Sequence, residues 1–181
     1  GVIVNISTFA QCCAYSVGQA SQPIFSTNFG AGKGARIRET LKYAIGTTAF
    51  FGVFWIAVCL AVPNGFIHIF MSPTEEVLRI APGIIRCYGL SFLLLPLNIF
   101  STYYFQAIMK PQAAFIVSIS RGLVISGILI LLLPAVAGAD AIWLAMPITE
   151  LLTATYAVCV IMRYTKQLPQ PIPAVYADLP A

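Results

Sequence analysis

The side chains of this chain best equipped to handle a solute are two rows of amides and hydroxyls. In the first apolar stretch Ser7, Gln11, Tyr15, Gln19, Gln22 and Ser26 recur at steps of three or four residues and so share one side of a helix. In the third stretch Tyr88, Ser91, Asn98, Thr102 and Gln106 repeat the arrangement. Such groups exchange hydrogen bonds without reacting covalently, so the chemistry they offer is recognition. Hydrocarbon would penalise them heavily. Each row must therefore face other helices, joining a bundle by interhelical hydrogen bonds, or line a water-filled cavity.

Two ionisable residues complete the set. Arg121 lies about eight residues into the fourth stretch and Glu150 about nine into the fifth, a depth of roughly 12 to 14 Å at the helical rise per residue. An Arg121 to Glu150 ion pair between antiparallel neighbours is one way to hold such charges near a bilayer midplane; snorkelling of Arg121 to the headgroups and proton titration of Glu150 are the others. Other chemistry finds no support in the pattern. No nucleophile stands near a base, and no cluster has metal-ligand spacing. Gly30-Ala-Gly-Lys-Gly34 follows a helical stretch and lacks the Lys-Ser or Lys-Thr ending of a phosphate loop, so it reads as a turn with Gly30 ending the helix. His68 stands alone in an apolar segment, and Asn5-Ile-Ser7 matches a glycosylation sequon inside a membrane stretch.

The elements that must position these residues follow from composition. Hydrophobic residues make up 59% of the chain, charged ones 9%, and mean hydropathy is +0.88, against roughly 25% charged residues in an ordinary soluble domain. Water is not the main solvent of such a chain. Crossing the hydrocarbon takes about 20 apolar helical residues, and five stretches qualify, at about 2–28, 41–62, 84–109, 113–133 and 141–161. They are continuously apolar, without the alternation of barrel strands. The predicted fold is all-α: a polytopic transmembrane helix bundle of five spanning helices in residues 1–166.

Charge placement orients it. Lys33, Arg36, Arg38 and Lys42 follow the first stretch, Lys110 the third, and Arg163 and Lys166 the fifth, in alternate connections, which puts that side in the cytoplasm and Gly1 outside. Net charge of +4 then speaks of membrane orientation, not nucleic-acid binding. Ser72-Pro-Thr-Glu75 reads as a capped helix start, with Ser72 as cap and Pro82-Gly83 as interruption, predicting a short external interfacial helix over about 72–81. The small row Ala10, Ala14 and Gly18 invites close helix approach, while Pro23 and Pro96 invite bends. Cys12, Cys13, Cys59, Cys87 and Cys159 read as small buried hydrophobes. Residues 167–181, with four prolines, read as a disordered cytoplasmic tail. The start at Gly1, with no initiator Met or basic leader, reads as a cut from a longer polypeptide.

Several segments, in one order, resemble the multidrug and toxic compound extrusion (MATE) family. They are Gly18-Gln-Ala-Ser-Gln-Pro23-Ile-Phe-Ser-Thr-Asn28-Phe-Gly-Ala-Gly-Lys-Gly-Ala-Arg-Ile-Arg38, Phe70-Met-Ser-Pro-Thr-Glu-Glu-Val-Leu-Arg79, Phe105-Gln-Ala-Ile-Met-Lys-Pro111, Ser118-Ile-Ser-Arg121 and Ala141-Ile-Trp-Leu-Ala-Met-Pro-Ile-Thr-Glu150. The resemblance covers nearly everything before the tail and implies most of the second six-helix lobe of a twelve-helix antiporter. It further implies export of organic cations and other amphipathic small molecules from the cell, in exchange for protons or sodium and by alternating access between lobes, with no other cofactor. The partners so implied are the inner-membrane lipid bilayer and the missing N-terminal lobe of the same polypeptide. On this reading Gln11, Tyr15, Gln19, Gln22, Asn98, Thr102 and Gln106 face substrate. The stretch at 84–109 carries no Asp or Glu, where the family often places a coupling acid, leaving Glu150 as this half's buried carboxylate and the absent half as the expected seat of coupling. Two other functions fit a membrane bundle with polar rows: a related flippase for lipid-linked saccharides, and a structural membrane subunit that transports nothing. An intramembrane enzyme would need a carboxylate or histidine cluster at a helix end.

Overall fold

A computed structural model describes residues 1–168, and among these there is no strand. The chain opens with α1 (Val2–Gly30), a helix of 29 residues that continues through Pro23. It ends at Gly30, as the sequence suggests, but the left-handed residue that closes it lies two positions further on. Gly32 takes φ of +67°, its N–H bonds the Phe29 carbonyl at 3.1 Å, and the Lys33 N–H reaches back to Asn28 at 2.9 Å. These paired bonds close a helix through a left-handed residue, which glycine adopts without steric cost. Gly30 is thus the last helical residue and Gly32 the left-handed one that turns the chain.

Helix α2 (Gly34–Ala61) returns antiparallel and is followed at once by α3 (Pro63–Phe70), a short helix beginning on Pro63 that the sequence reading missed. His68 is exposed on it. The interfacial helix predicted over 72–81 is instead the first part of a longer one. Thr74, not Ser72, caps α4 (Glu75–Gly89), its hydroxyl accepting the Val77 N–H at 3.4 Å, and the helix runs on through Pro82 and Gly83. The chain breaks further along. A 3-10 turn at Leu90–Leu93 leads into α5 (Leu95–Ala107), with Pro96 in its first turn, where a missing N–H costs nothing. Pro96 thus marks a helix start beside the break.

Helix α5 closes as α1 does, with the Lys110 N–H on Phe105 at 2.8 Å, but the left-handed residue is Met109 at φ 59°. Helix α6 (Pro111–Ile119) passes through a π turn at Ser120–Val124 into α7 (Ile125–Ala137), and a 3-10 turn at Ala139–Leu144 leads into α8 (Ala145–Lys166).

Four of these runs, Gly34–Ala61, Glu75–Ala107, Pro111–Ala137 and Ala139–Lys166, are long and apolar enough to cross a membrane. The fifth expected span, α1, has the length but does not join them; its row of glutamines and serines dilutes the apolar content. Its packing is nonetheless central. Helix α1 lies against α2 and α5, while α8 packs on α5, α6 and α7. The row Ala10, Ala14 and Gly18 is buried, and the Tyr103 ring of α5 covers Gly18 so closely that a Cβ there would overlap it. Close approach of α1 and α5 is what those small residues provide.

One apolar cluster gathers Phe25, Ile37, Phe100, Phe105 and Ile161; a second gathers Ile6, Ala14, Cys59, Ile67, Phe92 and Ile99. Outward faces are equally apolar, with Phe50, Leu123, Leu131 and Val136 exposed. That inversion is stable in hydrocarbon, not water. Of the five cysteines Cys59 is buried, Cys13 and Cys87 half-buried, and Cys12 and Cys159 exposed, correcting the expectation that all are core residues. At one end of the bundle Arg38 donates to the Leu168 carbonyl at 2.9 Å, Lys110 stands 5.1 Å from the Tyr164 ring centre, and Tyr104 meets Thr165 at 3.1 Å. The basic connections therefore gather at a common end. Leu168 is buried there while Gln167 is exposed; the remainder of the proposed tail lies outside the described residues.

Candidate functional site

Polar residues fully buried in an apolar bundle must find partners, and Glu150 accepts three hydrogen bonds from two. It is 0% exposed on α8, with Oε1 accepting the Arg121 Nε–H at 2.6 Å. From α5 the Asn98 amide donates to Glu150 Oε2 at 2.6 Å and to the Glu150 carbonyl at 2.9 Å. Both carboxylate oxygens are thus engaged by groups from two different helices. The ion pair is present, so Arg121 neither snorkels away nor stands alone. Removing two charges from water is costly, and short charge-assisted bonds to both oxygens are what offset it.

The π turn sets Arg121 in place. At Ser120–Val124 the helix widens by a residue, and the turn lies against α8. Arg121 is 19% exposed while Glu150 is wholly covered, so the pair is oriented with its cationic end outward. Asn98 donates both bonds through its Nδ2, leaving Oδ1 buried without a partner. Turning the amide over would set Oδ1 against a carboxylate, so this orientation is the favourable one.

Beside the pair opens a cavity of about 300 Å³. Asn98, Thr102, Tyr103 and Gln106 of α5, Tyr15 of α1, Ser118 of α6 and Arg121 line it, with Ile99 and Val117. Tyr15 and Tyr103 meet edge to face with ring centres 6.4 Å apart. Gln22 extends the polar seam, its amide donating to Gln106 Oε1 at 3.3 Å.

Of the seven residues expected to face a solute, Tyr15, Asn98, Thr102 and Gln106 come together at this cavity, with Gln22 one hydrogen bond away. Asn98 is a lining residue of a particular kind: it is 0% exposed and committed to Glu150. Gln11 is half-buried and Gln19 exposed, both outside the cavity wall. The sequence reading treated Arg121 and Glu150 as separate from the polar rows; the structure joins them through Asn98 and puts Arg121 in the wall. Tyr103 and Ser118 were missed. Tyr103 adjoins Thr102 and could have been found from the gap facing Gly18; nothing about Ser118 sets it apart in sequence.

An all-α bundle of membrane-length helices, apolar outside and with a polar cavity inside, defines an integral multi-pass membrane protein. Residues 1–133 match the MatE family, and the chain belongs to it. A solved structure described as that of the MATE multidrug transporter DinF-BH, in complex with a ligand, is similar with a TM-score of 0.79 and 26% identity, over 87% of this chain and 35% of that one. The chain spans about a third of that transporter's length. No curated protein matches it.

Proposed function

We propose that this chain is part of the C-terminal half of a multidrug efflux transporter, a membrane protein that exports amphipathic organic compounds, cations among them, in exchange for protons or sodium by alternating access. The observation carrying this reading is the cavity of about 300 Å³ where the polar faces of α1 and α5 meet, in a chain of the MatE family. Gln11, Tyr15, Gln19, Gln22, Thr102 and Gln106 form the substrate-facing side, with Gln11 and Gln19 turned toward the other lobe and Asn98 behind them, holding Glu150. The basic end, with Lys33, Arg36, Arg38 and Lys110, lies in the cytoplasm, following the bias of Lys and Arg toward that side.

Ion coupling is assigned to the other lobe, because both oxygens of Glu150 are already held, by Arg121 and Asn98. The test is made on the complete polypeptide in liposomes. A fluorescent organic cation should move against its gradient when a proton or sodium gradient is imposed, and a labelled lipid-linked saccharide should not cross. Movement of the saccharide alone would favour the flippase; movement of neither would leave a structural subunit.

A further inference from the structure

The cavity beside α5 presents a full positive charge and no accessible negative one. Arg121 is bonded to Glu150 through Nε alone, which leaves its two Nη groups without a partner among the described residues, and it is the charged residue of the lining. Glu150 has 0% exposure and both oxygens occupied. A solute in the cavity therefore meets the guanidinium end of the pair. Around it stand the hydroxyls of Tyr15, Thr102 and Ser118 and the amide of Gln106.

A guanidinium offers paired N–H groups in a planar fork, the geometry that carboxylate, sulfonate and phosphate oxygens match. We propose that this cavity holds an oxyanion subsite: the Arg121 Nη groups take the acidic group of an amphipathic anion or zwitterion. The oxyanion belongs either to a transported solute or to the headgroup of an anionic lipid. The inference rests on the transporter reading and narrows it, since the family membership by itself says nothing of an acid-binding position.

Glu150 is the internal competitor for the same guanidinium. Neutralising it frees Arg121 for a ligand, whereas neutralising Arg121 leaves an unpaired negative charge just behind the wall, so the two changes act with opposite signs on ligands of opposite charge.

The experiment measures binding of two xanthene dyes, one cationic and one bearing a free carboxylate, to the complete polypeptide in liposomes of a zwitterionic lipid. Arg121→Gln should weaken the carboxylate dye about tenfold and tighten the cationic dye; Glu150→Gln should do the reverse. A misfolded variant loses both dyes together, so unaltered protein supplies a second measurement: octanesulfonate should displace the carboxylate dye, and an octyltrimethylammonium salt should not. Adding phosphatidylglycerol separates the sources, lowering carboxylate-dye affinity if a lipid headgroup takes the subsite and leaving it unchanged if a solute does. Equal displacement by both surfactants, or movement of both dyes in one direction in a folded variant, overturns the subsite. Failure of the cationic dye to bind at all would instead count against the transporter reading.

Discussion

Three residues from three helical segments, Asn98, Arg121 and Glu150, carry the most polar contact in the bundle, and their unequal burial sets what each substitution does. Arg121→Ala leaves a fully covered carboxylate with only Asn98 to hold it. Stability should fall by about 3 kcal/mol, the scale for stranding one partner of a buried pair. Glu150→Gln is expected to cost less, because Arg121 is 19% exposed and can turn to water in the cavity. Unfolding in graded denaturing detergent checks the order, and equal losses would mean the pair adds nothing beyond packing. The pair itself was legible as two deep charges in neighbouring stretches. Its third member was not, since Asn98 in sequence is one amide in a row of five polar residues.

Helix packing and helix ends answer to glycine at a few positions. A Cβ on Gly52 of α2 would collide with the Leu93 carbonyl oxygen, a backbone atom of the 3-10 turn that no rotamer change can move. Gly52→Ala should therefore destabilise by about 2 kcal/mol, the usual range for overpacking. Gly46→Ala, on the same helix with nothing within 4 Å, should instead stabilise by up to about 1 kcal/mol. At the end of α5, Met109 holds the left-handed position that Gly32 holds after α1, at φ 59° and with its side chain 74% exposed. Met109→Gly should raise stability by about 0.5 to 1 kcal/mol, because the steric cost of that backbone region disappears while little packing is lost. Thermal unfolding in detergent reads all three variants. Composition foretold the helices; it misplaced their interruptions, setting one at Pro82 where the helix continues and none at Leu90–Leu93 where it tightens. Proline signals a lost hydrogen bond, and neighbouring helices decide whether that loss bends the chain.

Across the whole molecule, exposure divides into two kinds that geometry alone does not distinguish. Gln19 and Leu131 are both exposed, yet the first belongs to the polar side of α1 and the second to the apolar outside of α7. In a cysteine-free background of the complete polypeptide in membranes, Gln19→Cys should react with a hydrophilic maleimide and Leu131→Cys should not. Asn98→Cys should stay unreactive as well, since that position is wholly covered despite lining the cavity. Labelling at Leu131 comparable to that at Gln19 would contradict a lipid-facing α7.

Sequence by itself determined the solvent, the helical class, the alternate basic connections, the polar rows and the family resemblance, because each is a property of residue type and local period, readable along a single stretch. Tertiary structure decided what those rows do. Whether an amide faces a cavity, as Gln106 does, or holds a buried carboxylate, as Asn98 does, depends on which helix lies opposite, and so does the pairing of Arg121 with Glu150. Those partners stand 29 and 52 residues apart in the chain, 121 to 150 and 98 to 150, beyond the reach of any local pattern. Only the packing of α5 and the π turn against α8 brings them within hydrogen-bonding distance.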